Sequence, residues 1–302
     1  MNFRMIAWLM VMLALGGTPA AQDTPSCLSP TIVVNVRDRQ KNFVVGLQAS
    51  SFQVHIRDHD AVVQSVNTAN GIHRIVLLVD LSGSISGDNH TWEPARAAAR
   101  DLLLQSPLGL RIALVLFSDH IIDTIGFDRP SADIVERLAR LEPGKGRTAL
   151  FDALSYAADL LGAPMPGDAV YVVTDGGDNV SKTHPADVKS KFLSRNIRLF
   201  VFLVPSHMST PNEVASLPDF LDLGTESGGS VLDLTAFSSR TNLNAALDRV
   251  YDEMANFYLL RLSISGRWTK RERLRINVID SDGKKRKGVD TSVQQLLMPC
   301  VR

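Results

Sequence analysis

The chain has 302 residues, with 32 basic and 32 acidic side chains and 45% hydrophobic residues. This length is sufficient for one large domain, or for a large and a small domain that each bury a core. The balanced charge gives no reason to expect a nucleic acid partner, because Lys and Arg form no sustained run outside residues 284–287.

The first 21 residues have the pattern of a secretory signal peptide. Arg4 gives them a positive start, residues 5–15 are apolar, and residues 18–21 offer small side chains for cleavage. The apolar core is shorter than the roughly 20 residues of a membrane-spanning helix. We therefore predict an exported protein, periplasmic or secreted, with an uncleaved N-terminal anchor as the alternative. No later apolar stretch is long enough to cross a membrane.

The two cysteines, Cys27 and Cys300, lie near the two ends of the mature chain. In an exported protein an even pair favours a disulfide, and the alternative is two unpaired thiols. A disulfide requires the two ends of the chain to lie side by side.

Runs of β-forming residues occur at both ends of the chain. In residues 22–70 they are short and separated by polar or glycine-containing turns, at 31–36, 44–45, 52–57 and 61–66. Such a small antiparallel unit needs a second layer to cover its apolar face. Residues 258–302 supply further strand-like runs, with a strong turn signal at 280–283. We predict a small β-sandwich built from N- and C-terminal strands, which also brings Cys27 near Cys300.

Residues 71–257 alternate between strand-like and helix-like segments. Buried strands are predicted at 75–79, 111–117, 169–173, 197–204 and 231–234, and helices at 93–105, 131–141, 148–161, 185–195, 212–227 and 240–254. Ser131 is the predicted N-cap of its helix. Residues 121–127 follow the second strand too closely for a crossover helix, so we predict an antiparallel edge strand there. This alternation predicts an α/β fold with a mostly parallel, doubly wound sheet.

Polar side chains follow the first of these strands directly. Asp80, Ser82 and Ser84 emerge at its carboxyl end, the edge where open parallel sheets bind ligands. Gly83 lets the backbone turn tightly enough for the three side chains to converge. One carboxylate and two hydroxyls suit a hard divalent cation such as Mg²⁺, but its six coordination positions require more ligands.

Two further residues complete a candidate metal site. Asp175 follows the strand at 169–173, and it faces Asp80 if the two strands are neighbours where the strand order reverses. Thr148 follows a loop with two glycines and heads a helix, so its hydroxyl can point at the same place. Two carboxylates and three hydroxyls form a low-charge site with at least one position left for water or an outside group.

The pattern Asp80-x-Ser82-x-Ser84, followed by Thr148 and Asp175, resembles the metal-ion-dependent adhesion site (MIDAS) of von Willebrand factor type A (VWA) domains, in residue type and in chain order. The similarity extends over residues 72–257. It implies a Rossmann-like fold and a divalent cation, Mg²⁺ first, with Mn²⁺ or Ca²⁺ as alternatives. It also implies that the three hydroxyls contact the metal, that the two carboxylates do so directly or through water, and that a partner's Asp or Glu completes the shell.

The flanking segments, together with the signal peptide, resemble exported bacterial proteins termed von Willebrand factor A-related. Residues 289–302 match no pattern of that group. The resemblance implies an exported, metal-dependent protein-binding module that captures a carboxylate and is not an enzyme. One alternative is an envelope assembly scaffold whose β-sandwich makes the contacts, with the metal structural or unused.

A metal-assisted hydrolase is the remote alternative, because enzyme motifs are absent. Residues 144–148 lack the spacing of a P-loop, and residues 81–87 lack the register of Gly-x-Ser-x-Gly. Asp178 is the one candidate base near the metal, but we expect Asp178, Asp119 and Asp152 to be solvated or capping residues. Lys145 and Arg147 either meet an acidic partner beside the metal or lie in a solvated loop.

Overall fold

The structure is a computed structural model, and it describes residues 27–69, 73–86, 89–104, 110–142, 144–205, 211–236 and 240–300. The predicted signal peptide, residues 1–21, lies outside the described residues. In the described part of the chain no helix is both long enough and apolar enough to cross a membrane.

The described residues form thirteen strands and seven helices. The strands are β1 (Thr31–Asp38), β2 (Phe52–Ile56), β3 (Ala61–Thr68), β4 (His73–Asp80), β5 (Leu110–Phe117), β6 (Ile121–Ile125), β7 (Ala169–Thr174), β8 (Arg198–Leu203), β9 (Val231–Asp233), β10 (Tyr258–Ile264), β11 (Glu272–Val278), β12 (Val289–Val293) and β13 (Leu296–Leu297). The helices are α1 (Gly83–Ser86), α2 (Asn89–Leu104), α3 (Ser131–Ala139), α4 (Leu150–Leu160), α5 (Pro185–Ser194), α6 (Pro211–Glu226) and α7 (Arg240–Ala255).

The largest sheet has six strands in the order β6-β5-β4-β7-β8-β9. All neighbours are parallel except β6, which pairs antiparallel with β5 at the edge, as predicted. The chain leaves β4 for β5 on one side and returns to β7 on the other, so the strand order reverses between β4 and β7. The predicted α/β fold with a mostly parallel sheet is therefore confirmed, and β4 and β7 are neighbours at the reversal.

Strand β4 is central because it is buried on both faces. Ile75, Leu77 and Val79 pack on one side against α2, α3 and α7, whereas Val76 and Leu78 pack on the other against α4, α5 and α6. This two-sided burial explains the run of five consecutive apolar residues, since a half-exposed strand would alternate with polar residues. The strand is thereby a rigid support for the polar residues that follow it.

The remaining strands form the predicted β-sandwich from both chain ends. A four-stranded sheet, β12-β1-β10-β3, and a three-stranded sheet, β13-β11-β2, enclose a common apolar core. The predicted disulfide between Cys27 and Cys300 is present, with 5.5 Å between the two Cα atoms. Residues 289–302, which matched no pattern, supply β12 and β13, and residues 301–302 lie outside the described residues.

Polar contacts join the sandwich to the end of α7. Arg198, which begins β8 and is buried, donates through Nη1 to the carbonyl of Glu253 (2.9 Å) and through Nη2 to that of Met254 (3.0 Å). Asn35 of β1 donates to the carbonyl of Asn256 (2.6 Å). These donors satisfy carbonyl groups that a helix end leaves without partners, so the last turn of α7 is held from both the large sheet and the sandwich.

Three details of the sequence-based prediction were wrong. Residues 44–45 form no strand, because only an isolated bridge from Phe43 to Arg37 occurs there. The helix expected at 93–105 begins earlier, at Asn89, so Pro94 lies inside it. Ser131 is the first residue of α3, and Pro130 is the N-cap without a side-chain hydrogen bond. The last two errors concern element boundaries, which are the least certain part of any assignment.

Candidate metal centre

Asp80 ends β4 and its carboxylate is fully buried. Its Oδ1 accepts a hydrogen bond from the backbone N–H of Ser82 (2.8 Å), which closes the tight turn after the strand. Its Oδ2 accepts a hydrogen bond from the hydroxyl of Thr174 at the end of β7 (2.7 Å). The carboxylate is thus oriented by both neighbouring segments at the strand-order reversal.

Ser82 and Ser84 lie beside this carboxylate. Their Oγ atoms are 3.2 Å apart, so the two hydroxyls share one small volume. Between them, the backbone N–H of Gly83 donates to the carbonyl of Gly146 (3.1 Å), which ties the turn after β4 to the loop that precedes Thr148. A Cβ on Gly83 would lie 3.3 Å from that carbonyl oxygen, so the absence of a side chain permits the close approach.

Thr148 is buried just before α4, and its backbone is fixed on both sides. Its N–H donates to Oδ1 of Asn179 (2.9 Å), and its carbonyl accepts from the N–H of Asn179 (3.0 Å). The preceding loop is pressed against the turn after β4, because a Cβ on Gly144 would lie only 2.1 Å from the carbonyl oxygen of Leu81. Thr148 is therefore held between the segments that carry Ser84 and Asp175.

Asp175 is buried directly after β7, in the neighbouring strand to β4. Its Oδ1 accepts a hydrogen bond from the N–H of Gly177 (3.0 Å). The structure thus places all five predicted residues on three adjoining segments at one edge of the sheet. Two supporting residues, Thr174 and Asn179, were not predicted as site residues: Thr174 directly precedes Asp175, but no sequence signal indicates that Asn179 supports Thr148.

The site carries an electrostatic imbalance. Burial, and after it the nearby charge of Asp175, raise the pKa of the Asp80 carboxyl from 3.8 to about 7. Two like charges in a buried place repel each other, and a bound cation would relieve both the repulsion and the loss of hydration. Two carboxylates with neighbouring hydroxyls fit a hard, oxygen-preferring cation. The five side chains are Asp, Ser and Thr, whereas typical zinc sites contain Cys or His. In the part of the chain that the structure describes, no cluster of three His, Cys, Asp or Glu side chains could hold a metal ion.

The other acidic residues of this edge have structural partners. Asp178 accepts hydrogen bonds from the hydroxyl of Ser181 and from the N–H of Phe151 (3.4 Å) at the start of α4. Asp152 accepts from the N–H groups of Lys182 and Thr183, and these bonds lower the pKa of its carboxyl despite partial burial.

Asp119 is exposed and contacts His120 and Ser118, and its pKa is lowered chiefly by the hydrogen bond to His120. On the opposite loop, Arg147 is exposed and donates to the carbonyl of Asn179 (2.7 Å). Lys145 is also exposed. These charged side chains therefore surround the five-residue site rather than enter it.

The raised pKa of Asp80 predicts that the stability of the metal-free protein depends on pH. The folded protein keeps a proton that the unfolded chain releases above about pH 4, so this carboxyl lowers the free energy of unfolding as the pH rises from about 4 to about 7. We expect Asp80→Asn to be the more stable protein at pH 8, by up to about 4 kcal/mol, with a smaller difference at pH 5. Urea unfolding in EDTA at both pH values measures this. A difference that is equal at pH 5 and pH 8 would contradict the raised pKa.

Comparison with known families identifies this architecture. Residues 75–177 match the family model described as von Willebrand factor type A domain. These residues run from β4 to the turn after β7, so the match includes all five residues of the site. This part of the chain, about a third of its length, is therefore similar to VWA domains, as the resemblance implied. A search of curated protein sequences found no match.

Solved structures share the fold at low sequence identity. One of them is proximal thread matrix protein 1 from the mussel byssus, with a zinc-occupied MIDAS motif, which is 20% identical with a TM-score of 0.50. The match covers 65% of this chain and 50% of the mussel chain, so this chain spans half of that chain's length. A von Willebrand factor type A protein from Catenulispora acidiphila is 14% identical with a TM-score of 0.48, covering 85% and 74% of the two chains. Conserved hypothetical protein BatB from Bacteroides thetaiotaomicron is 14% identical with a TM-score of 0.44, covering 60% and 98%.

Proposed function

We propose that this protein is an exported binding module that captures a carboxylate of a partner protein through a divalent cation. The cation would be held by Asp80, Ser82, Ser84, Thr148 and Asp175. The observation that carries the proposal is the buried pair of carboxylates with neighbouring hydroxyls at the strand-order reversal of a VWA domain. Mg²⁺ is the proposed ion because all five side chains offer oxygen.

The bound cation supplies an electrophile for an anionic oxygen of the partner. The protein determines where the cation would lie, because hydrogen bonds from Ser82 and Thr174 fix the Asp80 carboxylate. Five protein ligands leave one of six coordination positions for the partner. We propose that an Asp or Glu side chain of the partner fills this open position by direct coordination of the cation.

Binding rather than catalysis is proposed for this site. A hydrolase requires a general base close to the metal. Asp178 was the candidate base, and its Oδ1 instead accepts hydrogen bonds at the start of α4. Export is supported by the disulfide between Cys27 and Cys300, since disulfides persist chiefly in oxidising compartments.

An array of short peptides tests the proposal without knowledge of the partner. Peptides with a central Asp or Glu are expected to bind the protein in Mg²⁺ and to release it in EDTA, and the same peptides with Asn or Gln are expected not to bind. Thr148→Ala should lose this binding, whereas Asp152→Asn, at a carboxylate that only holds a nearby turn, should retain it. Equal binding to the acidic and the amide peptides would refute carboxylate capture.

A further inference from the structure

The basic residues of this neutral chain are concentrated in one segment of the sandwich. Residues 267–287 contain nine basic and three acidic side chains, a net charge of +6, whereas the whole chain has 32 of each sign. All nine basic side chains are exposed. The chain is neutral as a whole, but residues 267–287, which include β11 and the turn after it, form a strongly cationic region.

Several of these residues share one face of the three-stranded sheet. Along β11, Leu274, Ile276 and Val278 point into the core of the sandwich, so Arg273 and Arg275 lie on the outer face. Arg275 is directly opposite His55 of β2 in the antiparallel register. Arg57 directly follows β2, in the turn that the bridge between Ile56 and His59 closes, and His55 and Arg57 are both exposed.

The turn after β11 adds to this face. Ile279 forms an antiparallel bridge with Lys285, and directly opposed residues of such a pair point to the same side of the sheet. Alternate residues of a strand point to the same face, so Ile279 lies on the outer face with Arg273 and Arg275. Lys285, which is opposite Ile279, therefore lies on that face too. We call His55, Arg57, Arg273, Arg275 and Lys285 the basic face.

The charges of the basic face have little compensation. Among the described residues, none of the nine basic side chains of residues 267–287 forms an ion pair. Arg57 has one partner, the adjacent and exposed Asp58, at 3.6 Å. In the turn, Asp280 uses its carboxylate for the backbone N–H groups of Asp282 and Lys284. The positive charges of this segment therefore remain available to an anionic partner.

We infer that the basic face binds the surface of an anionic phospholipid membrane. Charge complementarity requires an anionic partner, and clusters of Lys and Arg are attracted to the surface of anionic lipids. Single-stranded nucleic acids are bound by exposed aromatic side chains, but Trp268, the aromatic residue of this segment, is buried.

The disulfide lies beside the basic segment, because the N–H of Cys300 donates to the carbonyl of Trp268 (2.8 Å), one of its first residues. This inference is independent of the metal site, which lies at the carboxyl edge of the other sheet.

Vesicle sedimentation of the mature protein, without the predicted signal peptide, tests the inference. In 50 mM NaCl we expect binding to vesicles of phosphatidylglycerol and phosphatidylcholine, no binding to pure phosphatidylcholine, and release in 500 mM NaCl. Arg273→Glu with Arg275→Glu should lower the partition coefficient at least tenfold. The matched control, Arg100→Glu with Arg249→Glu, changes two exposed arginines of α2 and α7 and should change it less than twofold.

Three results would overturn the inference: no binding to anionic vesicles, an equal loss in both double variants, or binding to a single-stranded oligonucleotide or a sulfated polysaccharide without binding to vesicles. The second result would assign the effect to net charge and the third to a different polyanion. If the glutamate variant fails to fold by circular dichroism, Arg273→Gln with Arg275→Gln removes the same charges without reversing them, and we then expect at least a threefold loss.

Discussion

Titration of the purified protein with Mg²⁺ or Mn²⁺ is expected to show one binding site that Asp80→Ala removes. Asp80 supplies a buried carboxylate beside two serine hydroxyls, and an alanine at this position offers no oxygen to a cation. Groups that only support a metal ligand already contribute about 10–100-fold to affinity, so loss of the carboxylate itself should cost more than about 100-fold. Isothermal titration calorimetry measures both affinities directly.

Asp178→Asn is the matched control for this experiment. Asp178 lies three residues after Asp175 but accepts hydrogen bonds from Ser181 and Phe151, and an asparagine oxygen can accept the same bonds. We expect this variant to bind the cation within about threefold of wild type, since it contributes no ligand. Metal binding that survives Asp80→Ala, or that fails equally in both variants, would contradict the assignment of the site.

Removal of the disulfide should have the largest effect on stability. Cys27 and Cys300 are 273 residues apart in sequence, so their bond restricts nearly the whole unfolded mature chain. Loss of a native disulfide of this kind typically costs about 2–5 kcal/mol. We expect Cys27→Ser with Cys300→Ser to lower the free energy of unfolding by that amount, as measured by urea unfolding followed by far-ultraviolet circular dichroism.

A second readout separates this effect from the metal site. The disulfide closes the sandwich, whereas the five site residues lie at the carboxyl edge of the six-stranded sheet. The folded double variant should therefore bind Mn²⁺ within about twofold of wild type, and a reducing agent should bring wild type to the stability of the variant. Unchanged stability after loss of the disulfide would show that the sandwich strands alone hold the chain ends together.

The sequence predicted the structure best at strands that are buried on both faces. Five consecutive apolar residues before Asp80 predicted a strand buried on both faces, because only such a strand tolerates that pattern. The same reasoning for β7 placed Asp175 at the matching end of a second strand, and the structure makes the two strands neighbours. The candidate site could be predicted because each residue directly follows, or lies near, such an element.

Contacts that depend on the packing of distant segments could not be predicted. Asn179 supports Thr148 across 31 residues, and neither residue type indicates the other in the sequence. The basic face combines His55 with Arg275, which are separated by most of the chain and meet only through the register of β2 and β11. The composition gives the net charge of the chain, but it does not show where the basic side chains lie on the folded surface.

The most direct test of the proposed function is the effect of protein-bound Mn²⁺ on the proton relaxation of acetate. Mn²⁺ in the site should bind acetate at its open position and accelerate relaxation of the acetate methyl protons, because a paramagnetic ion acts strongly only at short distance. We expect this enhancement with wild type, none with Asp80→Ala, and none with acetamide, which matches acetate in size but lacks the charge. Bound Mn²⁺ that relaxes acetate no more than acetamide would contradict capture of a carboxylate at this site.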